Sequence, residues 1–297
     1  MNQQRGVSVF ITGASSGIGR ATALLLAEHG FRVFAGVRKP TDGASLASQS
    51  AGRIVPIQID VTDPRAVAAA ARQVGEQVGD AGLGGLVNNA GIGAPAPVEY
   101  MREDTLRRQF EVNVFGQISV TQAFLPLVRR AKGRIVNIGS VGSHIAIPFG
   151  GALCGSKAAF TLLSDALRLE LRPYGIHVCL IEPGAINTPA VDKTLGDAES
   201  IVAALPPEGA ARYGDKLREF VRRGHAREAH GSPPEVVAQA IHHALTARRP
   251  RLRYQVGKDA RMMVALPRLL PERALDRVRL RILGLSTAFG SEASQEA

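Results

Sequence analysis

A doubly wound α/β fold, one parallel sheet in a single domain with a basic amphipathic helical extension at its C-terminus, is what the 297-residue sequence predicts, on three observations. Short apolar runs alternate with helix-forming stretches through most of the chain, the pattern of parallel strands joined by helical crossovers. The first of these runs ends in a turn holding three glycines, Gly13-Ala14-Ser15-Ser16-Gly17-Ile18-Gly19, and then opens a helix. Past Val256 the pattern changes to apolar residues at helical spacing set among arginines. A chain of this length buries a sizeable core as one unit, without need of a second domain.

Val7 to Thr12 is apolar enough for a buried first strand, and Ala21 to Glu28 is a run of good helix formers. Phe31 to Val37, Ile54 to Ile59 and Leu83 to Val87 read as three more buried strands, with the helical stretch Pro64 to Val78 between the last two. A long helix is predicted from about Asp104 to Arg130, a strand at Arg134 to Ile138, a helix from about Leu153 to Leu171 and a strand at His177 to Ile181. Each crossover has room for a helix, so the sheet is expected to be parallel. Ser232-Pro233-Pro234-Glu235 has the form of a capping box with proline at the first helical position, opening a helix to about Thr246. Arg253 to Val256 is expected at a sheet edge. Met262, Met263, Leu266, Leu269, Leu270, Leu275, Val278 and Ile282 then recur at helical spacing, broken by Pro267 and Pro271.

Composition narrows the class. A 45% hydrophobic and 21% charged chain without repeats is that of a soluble globular protein. Cys154 and Cys179 are its only cysteines, so neither a disulfide framework nor a four-cysteine metal site can be built, and no metal is expected. No charged leader with a long apolar region precedes the first strand and no run is long enough to span a bilayer, so a cytoplasmic location is expected. The net charge of +10 is local: eleven Lys or Arg between Arg248 and Arg281 face only Asp259, Glu272 and Asp276. This argues against a nucleic-acid partner and leaves several readings of the tail: a solvated basic helix packed on the sheet's edge, an apolar stripe that covers the site as an apolar entrance, a peripheral contact with anionic lipid, or contact with an acidic ligand or partner.

The glycine turn lies where a strand must bend sharply into a helix. Glycine permits the bend and lets backbone approach a pyrophosphate, whose charge is met by the amides of the helix N-terminus. Gly13, Ser15, Ser16, Gly17, Ile18 and Gly19 are therefore the expected dinucleotide cradle. Nicotinamide cofactors are sorted at the end of the second strand, where an acid accepts from a 2′-hydroxyl and a base meets a 2′-phosphate. The strand here ends Gly36-Val37-Arg38-Lys39, with no acid, so Arg38 favours NADP(H) over NAD(H).

With those residues placed, Val7 to Val256 resembles the short-chain dehydrogenase/reductase family, and hence a Rossmann-type fold. The motifs agree in order: the turn from Thr12 to Gly19, Asp60-Val61, Asn88-Asn89-Ala90-Gly91, Asn113, Ser140, Lys157, and Pro183-Gly184 with Thr188. Pro148-Phe149-Gly150-Gly151, Cys154-Gly155-Ser156-Lys157 and Ile181-Glu182-Pro183-Gly184-Ala185 resemble the branch near retinol and 17β-hydroxysteroid dehydrogenases. The resemblance implies that Asp60, Val61, Asn89, Ala90 and Gly91 line the adenosine side, and that Pro183, Gly184, Ile186 and Thr188 hold the nicotinamide. It implies that Lys157 binds the nicotinamide ribose, Ser140 bonds the substrate oxygen and Asn113 holds a relay water. It divides the chain into a domain over 1–257 with a substrate lid at about 189–231, an extension over 258–285 and a disordered tail over 286–297, and implies a homodimer or homotetramer through the two long helices.

One position departs from the family. Its motif is Tyr-x-x-x-Lys, and four residues before Lys157 stands Leu153. Positions i and i+4 share a helix face, so the lysine and the missing phenol would point together into the site. Leucine moves no proton, and a lost general acid costs about 10² to 10⁴ in rate. His144 and Tyr213 are the candidate substitutes, while Cys154 is turned by about 100° along the helix and reads as a packed thiol. The expected function is an NADP(H)-dependent oxidoreductase acting on an apolar alcohol, ketone, enone or imine with atypical proton transfer. A non-redox isomerase or cyclase, a cofactor-binding pseudoenzyme and an engineered inactive variant remain as alternatives.

Overall fold

The computed structural model describes residues 6–189 and 195–285, so the expected tail over 286–297 and part of the expected lid lie outside the described residues. Seven strands form one parallel sheet: β1 (Ser8–Ile11), β2 (Arg32–Val37), β3 (Ile54–Gln58), β4 (Gly85–Asn88), β5 (Arg134–Ile138), β6 (His177–Pro183) and β7 (Arg253–Val256), in the order β3-β2-β1-β4-β5-β6-β7. Val9 lies opposite Val33 in β2, and Ile11 opposite Val87 in β4. The strand order reverses between β1 and β4, which opens a crevice at their C-terminal ends.

Alternation along the buried strands feeds two cores. Val9, Ile11 and Val33 face α1 (Gly17–Glu28) and the helix Pro234–Thr246, whereas Phe10, Phe34 and Leu86 face α3 (Pro64–Val78) and α5 (Gly116–Ala131). Phe10 stacks on Phe124 of α5 with ring centres 4.2 Å apart. A helix absent from the sequence reading, α2 (Pro40–Ala47), fills the crossover from β2 to β3. Its Gly43 lies so close to Pro56 that a Cβ would come within 2.7 Å, and the glycine masks the helical signal.

The single long helix expected over 104–130 is α4 (Glu103–Phe110) and α5 joined by a π-helical turn, Glu111–Phe115, which contains Asn113. Such one-residue widenings cluster at functional sites. After α6 (Gly151–Leu171) come the short α7 (Ala198–Ala203), α8 (Pro207–Ala229), α9 (Pro234–Thr246), α10 (Ala260–Leu269) and α11 (Glu272–Ile282).

Ser232 does not cap α9. Its N–H donates to Ala185, its carbonyl accepts from Asn187 and its hydroxyl accepts from Lys258 N–H at 3.2 Å. Those bonds tie the segment after β6 to the base of the extension, so the cap position falls to Pro233, which has no side-chain acceptor. The extension itself covers the site. Met263, Val264 and Leu275 pack on Val141 and Ile145 beyond β5, while Leu283 and Leu285 join Phe149, which precedes α6, and Leu217 and Phe220 of α8. Among the described residues no helix is long and apolar enough to cross a membrane.

Candidate active site

A cavity of about 580 Å³ runs along the C-terminal edge of the sheet, from Arg38 past the β1–β4 crevice to α8 and α11. Its first wall is the glycine turn. Gly13 and Gly17 have φ of +65° and +54°, and a Cβ on Gly19 would sit 2.3 Å from the Gly13 carbonyl oxygen, so the turn closes only without side chains. Gly13, Ser15, Ser16 and Ile18 line the cavity; Gly17 and Gly19 shape the turn from behind. Ser16 makes no side-chain cap to α1 and the first turn holds no acid, which leaves the helix N-terminus available to an anion.

The turn is pinned to β4 by a buried polar lock. The Thr12 hydroxyl accepts from Asn89 N–H at 2.9 Å and Ala90 N–H at 3.0 Å, and the Asn89 amide donates to the Thr12 and Gly13 carbonyls. At the outer end, Arg38 is exposed on the cavity rim beside Asp60 and Val61. Burial pushes the Asp60 carboxyl up, but its bonds from Thr62 and the nearby Arg108 and Arg38 outweigh this and hold it below the ordinary range. No acid ends β2, and the rim carries Arg38 and Arg108 together with the Asp60 carboxylate. The glycine cradle, the open helix N-terminus and the basic rim together fit a phosphorylated dinucleotide.

In the middle of the cavity Ser140, Leu153 and Lys157 meet. Ser140 stands two residues beyond β5, and its Oγ accepts from Gly142 N–H at 3.0 Å, which leaves its own proton free to donate. Lys157 lies on α6, one turn beyond Leu153, and its Nζ donates to the Ile138 carbonyl at 2.8 Å. Burial pulls this ammonium down to about 8. A Cβ on Gly91 would lie 3.4 Å from Asn113 Oδ1 and 3.6 Å from Lys157 Nζ, so the β4 loop passes close to both side chains.

Asn113 is wholly buried and does not line the cavity. Its Oδ1 accepts from Ile92 N–H at 2.9 Å, and its Nδ2 donates to the Ile92 carbonyl and to Ser156 Oγ. The side chain therefore pins the loop after β4 to α6. His144 and Tyr213 are not brought to Lys157 either. The His144 Nε2 is 2.6 Å from Oε1 of the fully buried Glu182, which also accepts from Arg253 at 2.7 Å. Tyr213 donates to Glu99 at 2.7 Å, a bond that pushes its phenol up and directs it away from the cavity. A buried carboxylate and an outward one have claimed the two candidate acids.

Pro183, Gly184, Ile186 and Thr188 form the wall beyond β6. A Cβ on Gly17 would lie 3.2 Å from Thr188 Cβ, which brings this wall against the glycine turn. Among the remaining lining, the sequence reading did not assign to the site Arg108, nor Phe220, Arg223, Arg227 and Glu228 of α8 and Arg279 of α11, and it named Met263 and Ile282 only as part of the apolar stripe. The spacing of 220, 223, 227 and 228 on one face of α8 was a usable signal, but nothing local says what that face covers.

Residues 8–199 match the family described as short chain dehydrogenase. The chain is 40% identical to retinol dehydrogenase 5 of Mus musculus over 283 residues, covering 93% of this chain and 88% of that protein. It is 37% identical to human retinol dehydrogenase 16, covering 94% and 89%. Among solved structures, a short-chain dehydrogenase from Streptomyces avermitilis superposes with a TM-score of 0.73 at 30% identity, covering 95% of this chain and 96% of that one. One from Burkholderia cenocepacia in complex with NADP gives 0.69 at 26% identity, covering 94% and 99%.

Proposed function

The chain belongs to the short-chain dehydrogenase family, and from that premise we propose that it is an NADP(H)-dependent oxidoreductase of an apolar alcohol, ketone, enone or imine whose proton transfer bypasses a phenol. The observation that carries this reading is the continuity of one cavity. The glycine cradle and Arg38 lie at one end, Ser140 and Lys157 in the middle, and the apolar Leu153, Ile145, Phe220 and Ile282 beyond them. The relatives named retinol dehydrogenases support an apolar substrate, and the absence of an acid at the tip of β2 supports NADP(H).

When bound, the nicotinamide supplies or accepts the hydride. The chain's own part begins with charge: the N-terminus of α1 and Arg38 hold the phosphates. Lys157 orients the ribose next to the nicotinamide, and Asn113 keeps the β4 loop in register with α6. Ser140 donates its proton to the substrate oxygen, because its acceptor site is already filled by Gly142 N–H. Leu153 offers that oxygen nothing, so a developing alkoxide lacks a general acid, whereas an iminium becomes a neutral amine on reduction and requires none.

The test is NADPH consumption across a panel of apolar imines, enones and ketones, with NADH in parallel. Turnover of imines or enones with NADPH ahead of simple ketones is the expected result. Product formed without any cofactor oxidation would instead assign the scaffold to isomerisation or cyclisation. The same reading includes a homodimer or homotetramer, supported by the exposed Phe115, Leu162 and Leu169 on the π-turn and α6. It also includes a peripheral lipid contact, supported by the exposed Arg261, Arg268, Met262 and Leu269.

A further inference from the structure

The far half of the cavity is apolar in its walls but not in its charge. Phe220, Arg223, Arg227 and Glu228 come from one face of α8, and Arg279, Ile282 and Leu283 from α11 and the residue after it. Arg227 is matched, since it pairs with Asp259 and lies beside Glu228. Arg223 and Arg279 also have carboxylate partners, but ones that do not line the cavity.

Arg223 shares the single carboxylate of Glu219 with Arg222, and its guanidinium packs over Gly284, where a Cβ would meet it at 2.2 Å. Arg279 has only 17% of its side chain exposed. Its Nη1 reaches the solvent-facing Asp276 at 2.8 Å and Glu272 at 3.4 Å, and its Nε is buried without a partner among the described residues. Glu219, Glu272 and Asp276 do not line the cavity, whereas Arg223 and Arg279 do. Arg279 and Cys154 line the same cavity, and the arginine's charge opposes the rise that burial gives the Cys154 thiol. A guanidinium fork is shaped for carboxylate or phosphate, and beside apolar walls it attracts an acid more strongly than it would in open water.

We infer that the ligand of this half of the cavity is an anionic amphiphile, with its carboxylate or phosphate end group held by Arg279 and Arg223 and its apolar chain against Phe220, Ile282 and Leu283. The inference rests on the reading of this cavity as a substrate site, and it narrows the substrate class from apolar molecules in general to those carrying an acid.

Calorimetric titration of the full chain with decanoate, decyl phosphate and 1-decanol, with and without NADP⁺, tests it without requiring turnover. A chain that binds decanoate but never oxidises NADPH keeps this site and loses the proposed chemistry; the reverse pattern separates them the other way. The expected result is that at least one acid binds about tenfold or more tightly than 1-decanol, with the preference lost in Arg279→Gln and partly kept in Arg279→Lys. The tighter of the two acids names the end group. Arg223→Gln carries the same test if thermal unfolding shows Arg279→Gln to be unfolded. Arg268→Gln, exposed on the extension and outside the cavity, should change nothing. The inference is overturned if 1-decanol binds as tightly as both acids, if the preference survives in Arg279→Gln and Arg223→Gln, or if Arg268→Gln loses as much as they do. A fall in NADP⁺ affinity with the acid preference intact would give these arginines to the cofactor and equally overturn it.

Discussion

Replacing Leu153 by tyrosine is expected to create carbonyl-reducing and alcohol-oxidising activity with NADP(H). Residue 153 lines the cavity one helical turn before Lys157, and neighbouring turns set side chains about 6 Å apart. At an effective dielectric of about 20, a Lys157 ammonium at that distance stabilises a phenolate by about 2.8 kcal/mol, or about 2 pK units. The phenol would then titrate at about 8 instead of about 10. Lys157 itself is pulled to about 8 by burial, and the new anion pushes it back up, so the pair shares its protons close to neutral pH. A positioned acid in that range contributes about 10² to 10⁴ in rate, or about 3 to 5 kcal/mol of barrier. The assay is NADPH absorbance with apolar aldehydes and ketones, and Leu153→Phe is the control that supplies the ring without the hydroxyl. The reasoning is refuted if Leu153→Tyr is folded and binds NADP⁺ as the parent does, yet reduces no carbonyl faster than Leu153→Phe.

Three further outcomes are expected. Gly19→Ala puts a Cβ 2.3 Å from a backbone oxygen; it should destabilise the fold by about 1 to 3 kcal/mol and weaken NADP⁺ binding, and unchanged affinity by titration would show that the turn is not the cradle. Lys157 has a folded pKa of about 8, below its unfolded value of about 10.4, so the unfolded chain binds more protons between these values and stability should rise with pH across that window by about 3 kcal/mol. Urea midpoints should show that rise in the parent and not in Lys157→Met, and a flat parent would contradict it. His144→Ala leaves the buried Glu182 one partner short and should cost about 1 to 3 kcal/mol in stability, while the turnover of the Leu153→Tyr chain stays as it was; a selective loss of that turnover would restore His144 as an acid.

Strand positions were legible because a strand buried on both faces must be largely apolar, as Val33 to Val37 and, apart from the hydrogen-bonded Asn137, Ile135 to Ile138 are. The helix Pro40–Ala47 was not, because Gly43 lowers the local propensity and is kept for contact with Pro56. Ser232 and Glu235 satisfied a capping pattern, but the same serine is wanted by Ala185, Asn187 and Lys258, and three tertiary bonds outweigh one local one. The π-turn at Asn113 left no trace in spacing, since one extra residue in 29 scarcely shifts a helical period.

By itself the sequence determined the glycine turn, the strand order along the chain, an arginine in place of an acid at the tip of β2 and the leucine before Lys157, all of them local matters of backbone freedom, side-chain charge and i, i+4 geometry. Only the tertiary structure decided what His144, Tyr213 and the basic extension do. Each depends on a partner far along the chain, Glu182 for His144, Glu99 for Tyr213, and Val141 and Ile145 for the extension. A titratable or amphipathic residue takes its role from what lies across from it, and that is fixed by packing between distant segments, which no local pattern encodes.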